Sequence, residues 1–198
     1  MPRRHESIMK KYCFDTVDST NEEARRIIRS GESCSFYVIA ASQAAGRGQF
    51  GREFYSPPGG LYMSVCIKLD TRPDAACLTQ AAAVAACESV EELYGLGLKI
   101  KPVNDIIYES KKAGGILVET AAEYSGREYY AIFGIGLNLR EPPGGFPAHL
   151  SGIAGHIFEH EVDIDALAER IARTISEYSR NSGSPVIIEK YIERLVRH

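Results

Sequence analysis

Hydrophobic residues recur along the chain with two different spacings. Positions 61 to 69 alternate, with Leu, Met, Val, Ile and Leu at the odd positions and Tyr, Ser, Cys and Lys at the even ones. Such alternation predicts a β-strand with one buried face. Similar patterns predict six further strands, over residues 12–17, 36–42, 98–101, 105–108, 115–120 and 128–139.

Helical spacing is clearest in residues 74–94, which contain neither Gly nor Pro. This segment predicts a long helix that packs on the sheet through small residues. Its buried stripe is predicted to consist of Leu78, Ala82, Ala85 and Leu93. A second helix is predicted to begin at Ser19 or Thr20, each followed three residues later by Glu in a capping box, and to end near Gly31.

Two amphipathic helices are predicted near the end of the chain. The first is marked by Ile164, Leu167, Ile171 and Ile175, and the second by Ile188, Tyr191, Ile192 and Leu195. Strands and helices therefore mix without strict alternation, and no internal repeat is present. This organisation predicts a single α+β domain on a mixed sheet over residues 1–198.

Composition narrows the class of protein. The chain has 198 residues, 44% of them hydrophobic, and a net charge of -3. A nucleic-acid-binding protein usually carries an excess of basic residues, and this chain does not. No apolar run is long enough to span a bilayer, and the N-terminus lacks the apolar core of a secretory signal. The five cysteines form no C-x-x-C pair. They predict reduced, buried thiols in a cytoplasmic protein, with no metal site.

The segment GRGQFG, residues 46–51, matches the glycine spacing of dinucleotide-binding proteins. That motif must open a helix, whereas two adjacent prolines follow shortly after this one and block a helix. Val65 to Lys68 resembles a kinase strand, yet no other kinase motif is present. The remaining interpretation is a loop whose backbone N–H groups, with Arg47 and Arg52, bind an anion. A flexible surface loop is the alternative.

Two later segments carry further candidate chemistry. Asn104 and Asp105 stand at the entrance to a strand and are followed by two lysines and by Gly114–Gly115. In GIGLNL, residues 134–139, two glycines and Asn138 share one face, which would leave room for a flat ligand and supply an amide. Each feature has a structural alternative, such as a turn, tight strand packing or a cap. Together they predict a site for a nucleotide and an acid.

These motifs resemble those of the biotin–protein ligase catalytic domain over nearly the whole chain. The matching segments are DSTNEEA, QAAGRGQFGREFYSPPGGLYMS, VNDI with KKAGGILVE, and GIGLNL, all in the family's order. The resemblance implies an α+β fold with a largely antiparallel sheet covered by helices. It also implies that ATP and biotin form biotinoyl-5′-AMP, and that a lysine of the biotin carrier domain of a carboxylase then accepts the biotinyl group.

The resemblance also implies roles for particular residues. Lys112 and Arg47 would be catalytic, and Asp105 would help to hold Mg²⁺. The residues expected to contact biotin are Ser19, Thr20, Gln43, Gly46, Arg47, Lys112 and Gly115. Those expected to contact ATP or the adenylate are Gly48, Gln49, Gly51, Arg52, Phe54, Asn104 and Asn138.

The chain departs from the family pattern at several positions. Gln49 replaces a frequent second arginine, Phe54 replaces a tryptophan, and KPVND at residues 101–105 replaces KWPND. No N-terminal helix-turn-helix is expected, so DNA binding is not expected. No C-terminal small β-barrel is expected either, so the resemblance does not predict the rate of turnover. The alternatives are a catalytically weak binder of biotin or its adenylate, or a lipoate or octanoate transferase of the same superfamily. A homodimer remains an option.

Overall fold

The computed structural model describes residues 9–69, 74–122 and 129–197. Within these ranges seven strands form one sheet, in the order β1-β2-β3-β7-β6-β5-β4. The strands are β1 Lys10–Val17, β2 Phe36–Gln43, β3 Leu61–Leu69, β4 Lys99–Lys101, β5 Asp105–Tyr108, β6 Lys111–Ala122 and β7 Tyr129–Leu137. Only β1 and β2 pair in parallel, and the other neighbours are antiparallel. The mixed, largely antiparallel sheet is therefore confirmed.

Helices cover both faces of this sheet. In the described ranges they are α1 Thr20–Arg29, α2 Ala75–Tyr94, α3 Ile164–Ser179 and α4 Pro185–Arg194. Helices α2, α3 and α4 share the larger core cluster on one face, whereas α1 packs through Ala24 and Ile27 on the opposite face. No helix in the described part of the chain is both long and apolar enough to cross a bilayer.

Strand β3 differs from its prediction, because both of its faces are buried. Met63 and Val65 pack into the core beneath the three helices. Ser64 and Cys66, on the other face, are also fully buried. The parallel β1–β2 connection passes through α1, which lies over this second face and covers it. Alternation therefore located the strand, but the prediction of one exposed face was wrong.

The predicted ends and buried faces of α1 and α2 agree with the structure only in part. Asp74 caps α2 by accepting a hydrogen bond from the Ala76 amide at 2.8 Å. Ser19 precedes α1 but forms no side-chain capping bond, so the predicted capping box is wrong. Leu93, near the end of α2, is 41% exposed, so its place in the predicted buried stripe is wrong.

The buried side of α4 also differs from its prediction. Ile187 and Tyr191 are the buried residues of this helix, while Ile188 and Ile192 are 37% and 60% exposed. The helix packs mainly against α2 and the short strand β4, so it buries a narrow stripe. The strand predicted over residues 128–139 begins at Tyr129 in the structure, and Glu128 lies outside the described residues.

All five cysteines are free, but they differ in exposure. Cys66 and Cys87 are buried, as predicted, and burial raises the pKa of each thiol to about 12. Cys13 and Cys34 are exposed, so their predicted burial was wrong. Cys13 lies on β1, which stands at the edge of the described sheet, and Cys34 lies between α1 and β2.

We expect a thiol reagent to separate these two groups in the native protein. The thiolate is the reactive form, so Cys13 and Cys34 should react quickly, and faster as the pH rises from 7 to 9. Cys66 and Cys87 should react only after unfolding. Colour release from a disulfide reagent, with and without guanidinium, measures this. Rapid reaction of all five thiols in the native protein would contradict the packing around Cys66 and Cys87.

Candidate active site

A cleft of about 340 Å³ lies on the face of the sheet that carries α1. Its walls are the start of α1, the glycine-rich loop at residues 44–54, and the β5–β6 hairpin. Twelve of the predicted site residues line it together. They are Ser19, Thr20, Gln43, Arg47, Gly48, Gln49, Arg52, Phe54, Asn104, Asp105, Lys112 and Gly115.

The floor of the cleft is a row of residues that pair directly across the strands. Asp105 pairs with Gly115, Gly115 with Gly136, and Gly136 with Tyr62. Directly paired residues project on the same face of a sheet. Lys101 pairs with Asp105 and extends the same row into the cleft.

The glycine face of β7 does not leave open space, which corrects the prediction of a slot for a flat ligand. A methyl group on Gly136 would lie 2.5 Å from the Phe54 ring, and one on Gly134 would lie 2.6 Å from the Asn21 amide oxygen. The glycines therefore let Phe54 and Asn21 pack closely on the sheet. Phe54 also meets the Tyr62 ring edge-on, with centroids 6.4 Å apart.

The inner end of the cleft is a network of hydrogen-bonded polar side chains, most of them buried and neutral. The Gln43 side-chain oxygen accepts hydrogen bonds from the Thr20 amide at 2.9 Å and the Thr20 hydroxyl at 3.2 Å. Ser64 donates to the Asn21 amide oxygen at 2.6 Å, and the Asn21 NH₂ group donates to Glu119 at 2.7 Å. These bonds fix the orientation of both side-chain amides. Such a site recognises a ligand by hydrogen bonding.

Arg47 stands at the outer end of the network. Its guanidinium contacts the Glu22 carboxylate of α1, and Arg25 lies 3.5 Å from the same carboxylate. An anionic ligand at this end would share Arg47 with Glu22. Arg52, in the same loop as Arg47, also lines the cleft and supplies a second cation.

A β-bulge turns Lys112 into the cleft. Asp105 pairs with Gly115 and Ile106 with Gly114, but Ile107 then pairs with Lys112, so Ala113 is skipped. Strict alternation from Gly115 would have placed Lys112 on the face that carries α2, α3 and α4. The bulge places Ala113 on that face instead and buries it. The Lys112 Nζ consequently lies 2.6 Å from the Asp105 carboxylate.

The hairpin that carries this pair closes through a two-residue turn. Glu109 and Ser110 have positive φ angles of 45° and 69°, as a tight β-hairpin turn requires. Lys112 and Asp105 therefore lie on the two neighbouring strands of one hairpin.

Three of the predicted residues do not line the cleft. Gly46 lies beneath the loop, where an added methyl group would be 2.4 Å from the Phe54 carbonyl oxygen. Gly51 closes the short turn Gln49–Gly51 with a φ of 73°. Asn138 donates its side-chain N–H to the Gly155 carbonyl at 2.9 Å, outside the lining.

Sequence reasoning also missed residues that do line the cleft. Asn21 is 2% exposed and follows Thr20 in the segment DSTN, which was a usable signal. Lys101 could have been found from the predicted hairpin, because it stands opposite Asp105. Glu53 also lines the cleft, and no pattern in the sequence marked it.

Charged groups around the cleft are held by specific partners. Arg26 bonds to Asp18 and lowers the pKa of this carboxyl, and the Ser19 amide donates to it at 2.7 Å. Among the described residues, no group of three or more His, Cys, Asp or Glu side chains is placed to hold a metal ion. Asp105 and Glu53 are the carboxylates that line the cleft within the described ranges. Carboxylate oxygens are ligands that Mg²⁺ prefers, usually together with substrate phosphates and water.

The protein has an α+β fold, and its cleft places cationic side chains beside neutral hydrogen-bonding groups. The profile of the biotin/lipoate A/B protein ligase family matches residues 13–138, and the chain belongs to this family. It is 32% identical over 185 residues to a biotin–[acetyl-CoA-carboxylase] ligase of Paracoccus denitrificans, covering 86% of this chain and 75% of the relative.

Two further comparisons extend this result. The chain is 37% identical over 145 residues to the bifunctional ligase/repressor BirA of Bacillus subtilis, covering 71% of this chain. It spans only 43% of the length of that relative. The structure resembles the Leishmania major biotin protein ligase in complex with biotinyl-5-AMP, with a TM-score of 0.79 and 26% identity. The match covers 94% of this chain and 81% of that one.

Proposed function

We propose that the protein is a biotin–protein ligase, which joins biotin to a lysine of a biotin carrier domain through biotinoyl-5′-AMP. The observation that supports this most directly is the Lys112–Asp105 pair, at 2.6 Å, in the same cleft as Arg47 and the neutral Thr20–Gln43 network. One cleft thus offers cations for a carboxylate and phosphates, and amides for an uncharged polar ring.

In the first step, a biotin carboxylate oxygen attacks the α-phosphorus of ATP. The bond from this phosphorus to the bridging oxygen breaks, and pyrophosphate leaves. The carboxylate is already ionised at neutral pH, so the step needs no general base. Lys112 and Arg47 offset the repulsion between the two anions and stabilise the charge that grows on the phosphoryl oxygens. Asp105 would help to hold Mg²⁺ together with the phosphates, and the metal ion would supply further charge neutralisation.

In the second step, the uncharged amine of the acceptor lysine attacks the carbonyl carbon of the mixed anhydride. An amide bond forms, the bond from this carbon to the phosphate oxygen breaks, and AMP leaves while the amine nitrogen loses a proton to solvent. Lys112 again stabilises the charge on the departing phosphate. The acceptor must reach the cleft from its open side, since the floor is the sheet itself.

The polar inner end favours biotin over lipoate. The ureido ring of biotin presents two N–H donors and one carbonyl acceptor, whereas the dithiolane ring of lipoate presents no N–H or O–H donor. The Gln43 and Asn21 amides already have partners in the protein, and their remaining N–H and carbonyl valences can pair with the ureido ring but not with the dithiolane ring. A lipoate transferase is therefore the weaker candidate.

A catalytically weak binder of the adenylate is the second candidate function. Gln49 lines the cleft where many family members carry arginine, so the loop has one cation fewer to close over the intermediate. We also propose that the protein works in the cytoplasm. All five cysteines are free, and a reducing compartment keeps thiols in that state.

Pyrophosphate release tests these candidates. With ATP and Mg²⁺ present, release should depend on added biotin, and an added carrier domain should gain biotin on one lysine. The control replaces biotin with lipoate. Biotin binding without pyrophosphate release would support the weak binder, and preferred labelling by lipoate would support the transferase.

A further inference from the structure

The backbone of Lys112 is held by a segment outside the cleft. We name residues 153–157 the strap. The Lys112 amide donates a hydrogen bond to the Ile153 carbonyl at 2.8 Å, and the Gly155 amide donates to the Lys112 carbonyl at 2.9 Å. Strand β7 ends at Leu137, so the strap takes the place of β7 beside the first residues of β6.

The strap is itself anchored by Asn138. The side chain of Asn138 donates to the Gly155 carbonyl at 2.9 Å. Its backbone amide donates to the Ala113 carbonyl at 2.8 Å, and its carbonyl accepts from the Ile157 amide at 3.0 Å. Ile157 is 4% exposed and belongs to the main core cluster. One residue therefore ties the strap to the bulged part of β6 and, through Ile157, to the core.

The strap also approaches β6 too closely for a side chain at position 155. A methyl group on Gly155 would lie 2.8 Å from the Cβ and 3.2 Å from the Cδ of Lys111. Gly152, in the same loop, has no atom within 4 Å of an added methyl group. Glycine at 155 thus permits the two hydrogen bonds to Lys112.

We propose that the strap positions Lys112, and that Gly155 and Asn138 are positioning residues for the reaction. A bulge interrupts the pairing of β6 with β5 at Ala113, and pairing with β5 alone leaves the direction of the next residue weakly fixed. The two strap bonds fix it from the opposite edge. The role in turnover rests on the proposed ligase activity. In this proposal Asn138 orients Lys112 and does not contact the nucleotide.

Steady-state kinetics of adenylate formation test the role in turnover. In Gly155→Ala, the methyl group should push the strap away from Lys111, and kcat should fall by about 10-fold to 10²-fold, as expected for a displacement of about 1 Å. The KM values for biotin and ATP should stay within about twofold, because no residue that lines the cleft has changed. Gly152→Ala is the matched control and should match the wild type.

Asn138→Ala separates the two roles of that residue. Loss of the bond to Gly155 should lower kcat with little change in the KM for ATP. A raised KM for ATP at unchanged kcat would assign Asn138 to the nucleotide and overturn the positioning role. Unchanged kcat in Gly155→Ala would overturn the strap proposal as well.

A measurement that needs no turnover keeps the two proposals separate. Trace acetylation, mapped by peptide mass, reports how firmly Asp105 holds the Lys112 ammonium, with exposed Lys99 as the internal reference. Labelling of Lys112 should rise severalfold in Gly155→Ala and not in Gly152→Ala. Equal labelling in both variants would overturn the strap proposal. A wild-type protein that makes no biotinoyl-AMP would contradict only the proposed function.

Discussion

Replacing Lys112 with methionine should lower the rate of biotinoyl-AMP formation by about 10²–10³, the usual cost of removing one electrostatic donor to a transition state. Methionine keeps much of the length and packing of the side chain but carries no charge. Biotin affinity should change less, because the charge on the phosphoryl oxygens grows only during the transfer. Single-turnover formation of radiolabelled adenylate, measured beside biotin titration, gives both quantities.

The loss of Lys112 also leaves the Asp105 carboxylate without its cationic partner. Without its partner at 2.6 Å, this carboxylate would repel the phosphates and raise the KM for ATP. The rate should therefore be taken at saturating ATP and compared with the double variant Lys112→Met, Asp105→Asn. Lys111→Met, at the exposed neighbour, is the control and should retain most of the wild-type rate. Full activity of Lys112→Met would remove this lysine from the mechanism.

Replacing Gly46 with alanine should weaken the binding of both biotin and ATP by about 5-fold or more. The new methyl group would lie 2.4 Å from the Phe54 carbonyl oxygen and 2.5 Å from the Ser56 hydroxyl. Relief of this overlap separates the two ends of the loop and strains the 2.8 Å bond from the Phe54 amide to the Gly46 carbonyl. A lost bond of this kind costs about 1–3 kcal/mol when its groups stay buried.

Calorimetric titrations with biotin, and with ATP in the presence of biotin, measure this loss, while thermal unfolding reports whether the fold persists. Gly48→Ala is the matched variant in the same loop, because its methyl group would meet the Arg52 carbonyl oxygen at an ordinary 3.6 Å. It should lose much less affinity. Wild-type affinity in Gly46→Ala would mean that the ends of the loop are not coupled to the ligand.

Local patterns located most of the elements but not the surfaces that cover them. The alternation in β3 and the long apolar run in α2 are properties of the segments themselves, and both were predicted within a few residues. Whether β3 is buried on one face or two depends on where α1 returns to the sheet. That is a property of the connection, which no window of sequence contains. The exposed stripe of α4 was missed for the same reason.

The candidate site was predicted as a set of residues and less well as a geometry. Motif resemblance selected Lys112, but alternation counted from Gly115 would have turned its side chain to the wrong face, since the skipped residue of a bulge leaves no mark in the sequence. The glycines of β7 were expected to make room for a ligand, and instead they make room for Phe54 and Asn21. A glycine in a strand indicates that another group packs closely against it, but the sequence does not show whether that group is a ligand or a side chain.

The short turn between β5 and β6 has a consequence for the order in which the cleft is assembled during folding. Lys112 and Asp105 belong to one hairpin, and hairpins close within about 1–10 μs. The floor needs β3 to meet β7, with Leu61 opposite Leu137, and such distant pairing must first overcome the entropy of closing a long loop. We therefore expect the β5–β6 hairpin, which carries Lys112 and Asp105, to form before the floor of the cleft. A ligand that contacts both the hairpin and the floor binds only the completely folded chain. Binding therefore raises the midpoint of thermal unfolding of the protein.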